Sequence, residues 1–216
     1  SVVRAAAWVS GDGAKLQAIL DSMYFKEIPD FELVAVISPE KNAKAFKRAE
    51  RSGVPAFVVD PDLFPNITSH SMAIANKLKD MDVDLVILAG YRLELGVIPY
   101  QYRNRIIGIF PALLPAFEDR QDEEVFQAVL ERGVKLTGAT AFFADNDGRP
   151  GHIILQKTLE VLPGDTPESL RTRQMEEVEW KLLVQAVSLY CQGRLSLHGN
   201  RGLIAGGKVK GRADHK

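Results

Sequence analysis

Five consecutive residues near the amino end, Gly11, Asp12, Gly13, Ala14 and Lys15, carry the first chemical signal in this 216-residue chain. They stand between an apolar stretch, residues 2–10, and a segment in which Leu16, Ile19, Leu20 and Met23 recur at i, i+3, i+4 and i+7. That spacing predicts one face of a helix. Strand, glycine turn and helix together aim backbone N–H groups and the positive helix end at an anion, so the chemistry suggested is phosphate binding. The glycines allow φ above zero and close approach of a ligand, and Lys15 would add charge. A plain turn that binds nothing competes with this reading, because the Asp12 carboxylate repels a phosphate. A dinucleotide fingerprint fits worse still: GxGxxG would need glycine at Leu16.

Further along, residues 84–90 and 106–110 are short apolar runs, the first closed by Gly90 and the second by Pro111. Runs of that length predict parallel strands buried on both faces. An open α/β sheet places its site just beyond the carboxyl ends of such strands. Arg92 and Glu94 follow the first run and either line a cleft or pair with each other and solvent. His70 and Ser71 fall at an expected helix start, with Ser69 as its N-cap, where a histidine is more often a surface or capping residue than a catalyst.

These positions need a scaffold, and the rest of the chain supplies one. Strands are predicted over residues 2–10, 31–38, 54–59, 84–90 and 106–110, with the helix that carries Leu16 to Met23 and helices over 42–51 and 69–79 between them. The 42–51 helix carries Lys44, Lys47, Arg48 and Arg51, a solvated basic face. Residues 136–144 and 153–161 read as a β-hairpin around the turn Asp145-Asn146-Asp147-Gly148, which adds an antiparallel edge. Thr166, Pro167 and Glu168 open a long last helix that runs to Gln192 and turns Leu170, Val178, Leu182, Ala186 and Leu189 inward. Residues 199–216 are Gly- and Lys-rich without periodicity and read as a flexible tail.

Composition narrows the function classes. An apolar fraction of 46% sustains a core, and a net charge of −1 exerts no global pull on nucleic acid or membrane. No apolar run approaches the ~18 residues that span a bilayer. The single Cys191 excludes an internal disulfide and suits a reducing cytoplasm.

Several motifs together resemble the phosphoribosylglycinamide (GAR) formyltransferase family, over nearly the whole chain. SGDGAKLQAIL (10–20) is similar to the family's S-G-x-G-S-N-L-Q-A turn, and DLVILAGY (84–91) to its P-D-x-[VI]-V-L-A-G-[FY]-M-R strand. IIGIFPALLP (106–115) resembles L-[LI]-N-I-H-P-S-L-L-P, and TGATAFF (137–143) resembles H-G-[CT]-[ST]-V-H-F. GHIILQ (151–156) and LPGDTPESLRTR (162–173) match the strand and helix entry that follow. The resemblance implies an α/β, formyltransferase-like fold: a Rossmann-type, mostly parallel sheet with helices on both faces and an antiparallel edge hairpin. It implies a single domain over residues 1–198, with halves of about 1–105 and 106–198.

The family moves a formyl group from 10-formyltetrahydrofolate to the amine of GAR in purine biosynthesis. Attack of an amine on a formyl carbonyl needs an oxyanion stabiliser and a group that manages the amine proton. The family uses an Asn and a His of N-I-H-P and an Asp from the loop after V-H-F. The matching positions here are Gly108, Phe110 and Arg149, while Phe142 replaces a further His and Ala112 a Ser. Loss of one oxyanion donor costs roughly 3–4 kcal/mol in comparable sites. On the substrate side the resemblance points to Gly11, Asp12, Gly13, Ala14, Lys15, Ser71 and Glu176, with Ser71 where the family has a phosphate-contacting Arg. On the folate side it points to Leu88, Arg92, Leu93, Glu94 and Leu95.

Three readings follow. The chain is a formyltransferase-fold protein that has lost transfer chemistry and keeps a cleft for a phosphoribosyl or folate-type ligand. Alternatively it is an active 10-formyltetrahydrofolate-dependent transferase with substituted groups, for which Asp145, Asp147 and His152 are candidates. Or it is an interaction subunit, homodimeric or heteromeric, with the acidic segment 116–124 as new surface.

Overall fold

The structure, a computed structural model, describes residues 1–90 and 94–206. In chain order the elements are β1 (Val3–Val9), α1 (Ala14–Tyr24), β2 (Phe31–Ser38), α2 (Ala43–Arg51), β3 (Ala56–Val58), α3 (Ile67–Asp80) and β4 (Leu85–Ala89). A short α4 (Ile98–Gln101) leads to β5 (Ile106–Phe110), α5 (Val125–Arg132), β6 (Leu136–Ala144) and β7 (Pro150–Glu160). The chain closes with α6 (Pro167–Gln174), α7 (Trp180–Cys191), β8 (Leu195–His198) and β9 (Arg201–Ile204).

One seven-stranded sheet runs β3-β2-β1-β4-β5-β6-β7. The first five strands are parallel, and β6 and β7 add antiparallel pairings. Strand order reverses direction between β1 and β4, so a crevice opens beyond their carboxyl ends. This is the expected α/β architecture. All five residues of β4 and all five of β5 are buried, which is why both read as unbroken apolar runs. Leu16, Ile19 and Leu20 bury the predicted face of α1. Thr166 caps α6 in a reciprocal capping box with Ser169 and has Pro167 at its first position.

Some expectations are corrected. Asn66, not Ser69, caps α3: its side chain accepts from the Ser69 N–H at 2.9 Å, which moves the helix start upstream and leaves His70 and Ser71 buried inside it. Residues 199–204 are not a loose tail. They lie in the β8–β9 hairpin, with Gly202 lying so close to the Ile153 carbonyl that a β-carbon would not fit. Between β4 and β5 the chain forms the short helix α4. The last helix is interrupted between α6 and α7 by a π-helical segment, Met175–Glu179. Among the described residues no helix is long and apolar enough to cross a membrane. Burial pushes the half-buried Cys191 thiol up to about 12, so it carries no thiolate chemistry at neutral pH.

The π-helical segment turns a charge inward. Glu179 is fully buried and pairs with the Lys15 ammonium of α1 at 3.1 Å, itself only 3% exposed. Its second carboxylate oxygen accepts from Gln174 Nε2 at 3.1 Å, and the same nitrogen donates to the Pro111 carbonyl at 2.9 Å. Thr140 and Gln156 hold the other side of the loop after β5. Thr140 Oγ1 donates to the Ala112 carbonyl and accepts from the Leu114 N–H, and Gln156 Nε2 donates to the Leu114 carbonyl. One polar network therefore fixes α1, the last helix and the loop after β5 relative to one another.

Two stability predictions follow. Lys15→Ala leaves Glu179 buried without its counter-charge and should cost about 3–5 kcal/mol in chemical denaturation, with much of it recovered in the Lys15→Met/Glu179→Leu pair. Asp165 accepts from Arg173 Nη1 at 2.7 Å and from the Leu162 N–H and Ser169 hydroxyl. The Arg173 guanidinium above all holds its carboxyl below the usual range. A depressed native pKa gives stability that is present above the ordinary carboxylate pKa of about 4 and is lost as pH falls through the native value. Asp165→Asn should therefore lower Tm at pH 7, with the deficit shrinking in scans below about pH 4.

Candidate functional site

Two cavities open at the carboxyl ends of the central strands and meet at Gly90. One, between β1 and β4, has a volume of about 550 Å³ and is walled by Gly11, Asp12, Lys15, Arg171, Glu176 and Trp180. The other, between β4 and β5, has about 320 Å³ and is walled by Leu88, Gly108, Phe110, Phe142 and Arg149, with Glu118, Asp119 and Asp122 also in its lining. Both volumes are in the range of small-molecule sites. Strands β1 and β4 end so close together that a β-carbon at Gly90 would overlap the Ser10 side chain, which is what the glycine at that strand end allows.

In the β1–β4 cavity the glycine turn has the expected form, with Gly13 at φ 79° as the N-cap of α1. Several of its polar groups, however, bond to the protein itself. Asp12 Oδ1 accepts from the Ala14 N–H at 2.9 Å, the amide at the start of α1. Arg48 Nε donates to the Asp12 carbonyl at 3.2 Å, and Asn42 Nδ2 donates to the Gly11 carbonyl. Lys15 is held by Glu179. Glu176, on the π-helical segment, is exposed on the opposite wall.

In the β4–β5 cavity the three positions matched to catalytic groups come together. Gly108 and Phe142 are cross-strand partners on β5 and β6, and a β-carbon at Gly108 would lie 2.8 Å from Phe142 Cζ and 3.1 Å from Leu88 Cδ1. The Phe142 ring fills the space that a side chain at 108 would take. Phe110 and Phe142 are 4% and 5% exposed, so the floor of the cavity is aromatic and without a proton carrier. Arg149 stands exposed at the rim. No imidazole lines either cavity among the described residues.

Other expected site residues are placed elsewhere. His152 lies by a separate recess with Arg103, Asn104 and Asn200, and its Nε2 bonds the Gly199 carbonyl, because β7 turns its start toward the β8–β9 hairpin. Asp147 is exposed and lines neither cavity. Asp145 shapes the turn: its Oδ1 accepts from the N–H groups of Asp147 and Arg149, both at 2.9 Å. The proposed replacements thus do not converge on the cleft. Ser71 is buried and reaches no cavity; it accepts from the Val97 N–H at 3.0 Å and donates to the Thr68 carbonyl, pinning the segment after β4 to α3. Leu95 is buried against Gly148 and backs the turn that presents Arg149. Glu94 is exposed and lines no recess, while Arg92 and Leu93 lie outside the described residues.

Sequence reasoning missed three groups. Arg171 and Trp180 line the β1–β4 cavity with Glu176; Trp180 follows Glu176 at i+4, a spacing a helical-face analysis finds, whereas Arg171 is five residues before Glu176, off the face of a regular helix, and the π-helical segment lies between α6 and α7. The acidic segment 116–124 faces inward in part, with Glu118, Asp119 and Asp122 in the β4–β5 cavity and Glu123 in the other.

Comparison with known proteins agrees with the fold. The chain is 34% identical over 199 residues to the Bos taurus trifunctional purine biosynthetic protein adenosine-3, covering 91% of this chain and 19% of that one; it thus spans about a fifth of the trifunctional relatives. It is 34% identical over 169 residues to the phosphoribosylglycinamide formyltransferase of Bacillus subtilis, covering 78% and 85% of the two chains. Glycinamide ribonucleotide transformylase 1 from Symbiobacterium toebii superposes with a TM-score of 0.89 at 39% identity, over 95% of each chain. The family model described as formyl transferase matches residues 3–187, and the chain belongs to the formyl transferase family.

Proposed function

We propose that this protein keeps the ligand-binding cleft of a GAR formyltransferase, for a small molecule of phosphoribosyl or folate type, and lacks efficient formyl transfer. The observation that carries this reading is the β4–β5 cavity. Gly108, Phe110 and Arg149 line it, and at these positions, matched by motif to the family's amide, imidazole and carboxylate, the side chains offer a hydrogen atom, a phenyl ring and a guanidinium in place of groups that would stabilise the oxyanion and move the amine proton. Phe110 neither carries a proton nor hydrogen-bonds an oxyanion, and Gly108 has no donor to offer. What remains is positioning. The formyl donor 10-formyltetrahydrofolate suits the cavity in part: Leu88, Phe110 and Phe142 offer apolar walls to a flat ring, and the donor would supply the activated formyl group. In a cell the reading places the protein in purine or one-carbon metabolism, in the cytoplasm.

One observation favours a second reading. Arg149 shares its cavity with Glu118, Asp119 and Asp122, and a guanidinium with a carboxylate can stabilise an oxyanion and accept a proton without imidazole. Under that reading Arg149→Ala abolishes turnover.

With purified protein, GAR and 10-formyltetrahydrofolate, kcat should fall at least a thousandfold below that of an ordinary family enzyme assayed alongside; a value within tenfold refutes the impairment. Gly108→Asn alone should stay inactive and lose about 1–3 kcal/mol of stability through overpacking, and Phe142→Ala should relieve that loss in the double variant. Thermal or denaturant unfolding of the four proteins in the cycle measures the coupling.

A further inference from the structure

The seven-stranded sheet is open, with β3 and β7 as its outer strands. An outer strand presents unpaired N–H and C=O groups that invite another strand, and proteins blunt such edges with charge or cover. The β7 edge has both. Gly202 of the β8–β9 hairpin lies against the Ile153 carbonyl, and further along Lys157 and Glu160 are exposed. The β3 edge is different. Residues 54–59 read Val-Pro-Ala-Phe-Val-Val, without a charge, and Lys77 of α3 sits 3.7 Å over the Phe57 ring. Among the described residues β2 is the one strand paired with β3.

The phase of that edge follows from its pairing with β2. The Val36 N–H donates to the Pro55 carbonyl and the Val59 N–H to the Ser38 carbonyl, both at 2.9 Å. In a strand the N–H and C=O of one residue point to the same edge, and those of the next residue to the other. Positions 55, 57 and 59 therefore face β2. Ala56 and Val58 turn their N–H and C=O outward, where they have no hydrogen-bond partner among the described residues. A second β3, antiparallel about a two-fold axis at Phe57, sets Ala56 of each copy against Val58 of the other. Both are hydrogen-bonded pairs, with Phe57 opposite Phe57 in the closer, non-hydrogen-bonded position between them. An axis at Ala56 or Val58 would leave part of the outward groups of β3 facing residues beyond the strand.

The same register carries the exposed Asp62, just past the strand, alongside the exposed Arg51 that ends α2 in the other copy, so opposite charges meet at both ends of the contact. Three residues make a short ladder, and apolar surface has to supply the remainder. Val58 is 41% exposed, and Leu63 and Ile67, in the turn and helix start that follow, are 80% and 39% exposed. From the uncharged edge, its two-fold phase and the flanking charges, we infer that β3 is a self-association edge, through which two copies of this chain join their sheets into one. The inference is independent of what the cleft binds. Strand β2 stands between this edge and β1, so the crevice between β1 and β4 stays open in each copy.

Sedimentation velocity of the full chain from about 1 to about 200 µM tests this, since small interfaces dissociate in that range. The weight-average mass should rise from one copy toward two and stop there, because a two-fold contact closes on itself. Val58→Pro deletes an outward N–H and spares the ladder to β2, while Val58→Lys sets a charge on the edge. Each should weaken association by roughly tenfold or more. Thr158→Lys, on the β7 edge, should leave association unchanged. Melting curves at the lowest concentration check that each variant is folded, and Val58→Lys, at an exposed position, carries the test if the proline variant unfolds. A single copy throughout the range overturns the inference. So does a dimer indifferent to both Val58 variants, a dimer broken by Thr158→Lys, or growth past two copies.

Discussion

The ion pair between Lys15 and Glu179 is the constraint on which the geometry of the cleft depends. Both charges are out of water, and desolvating two charges is expensive unless hydrogen bonds satisfy what the pair itself does not. Gln174 supplies that, bridging Glu179 to the Pro111 carbonyl. Three segments distant in sequence are thereby tied: the turn into α1, the last helix, and the loop after β5. The tie also accounts for the π-helical segment. A regular helix through 170–187 keeps Leu170 and Gln174 inward at i and i+4; the wider turn at Met175–Glu179 lets Val178 and Glu179 both enter the core and presents Glu176 to the cavity. Segments of this kind recur at functional sites for the same reason, a local change of phase that re-aims one side chain.

The β4–β5 cavity follows a related logic through packing. Interiors tolerate few voids, and an asparagine-to-glycine or histidine-to-phenylalanine exchange considered alone would leave a gap or a clash. Here Gly108 and Phe142 are cross-strand partners and the ring of one occupies the side-chain space of the other. The two positions therefore pack as one unit, and a side chain at 108 requires the ring at 142 to move. Leu88 closes the third side. A cleft rebuilt in this way is stable as it stands, and its chemistry cannot be read position by position.

Much of this fold was legible in the sequence because its signals are local. Apolar runs bounded by Gly90 and Pro111 gave β4 and β5, the i, i+3, i+4 spacing of Leu16, Ile19 and Leu20 gave α1, and Thr166-Pro167 gave the start of α6. The β8–β9 hairpin was not legible, because Gly199 and Gly202 read as disorder when the close approach of Gly202 to Ile153 depends on a partner some fifty residues upstream. The same holds at the site. Gly108, Phe110 and Arg149 were matched by motif, and the structure brings them together. That Ser71 would bond the Val97 N–H rather than a ligand, or that His152 would turn to the Gly199 carbonyl, depends on where loops of no fixed periodicity settle, and no spacing rule encodes that.

A common thread runs through the altered positions on both sides of Gly90. Asp12 is engaged by the Ala14 amide, Lys15 by Glu179, Ser71 by Val97 and Gly108 by the Phe142 ring; at each, a position matched to ligand contact or catalysis meets an internal partner. Such exchanges stabilise the protein without a ligand, since every donor or acceptor that finds a partner inside avoids the cost of waiting unpaired in a cavity. Of the polar groups lining the cleft, Glu176, Arg149 and Arg171 lie on the last helix and the β6–β7 turn rather than on the strand ends, beside Glu118, Asp119, Asp122 and Glu123 from the segment after β5. On the proposed reading, discrimination falls to the walls of the crevice, while its floor is closed by the buried rings of Phe110 and Phe142.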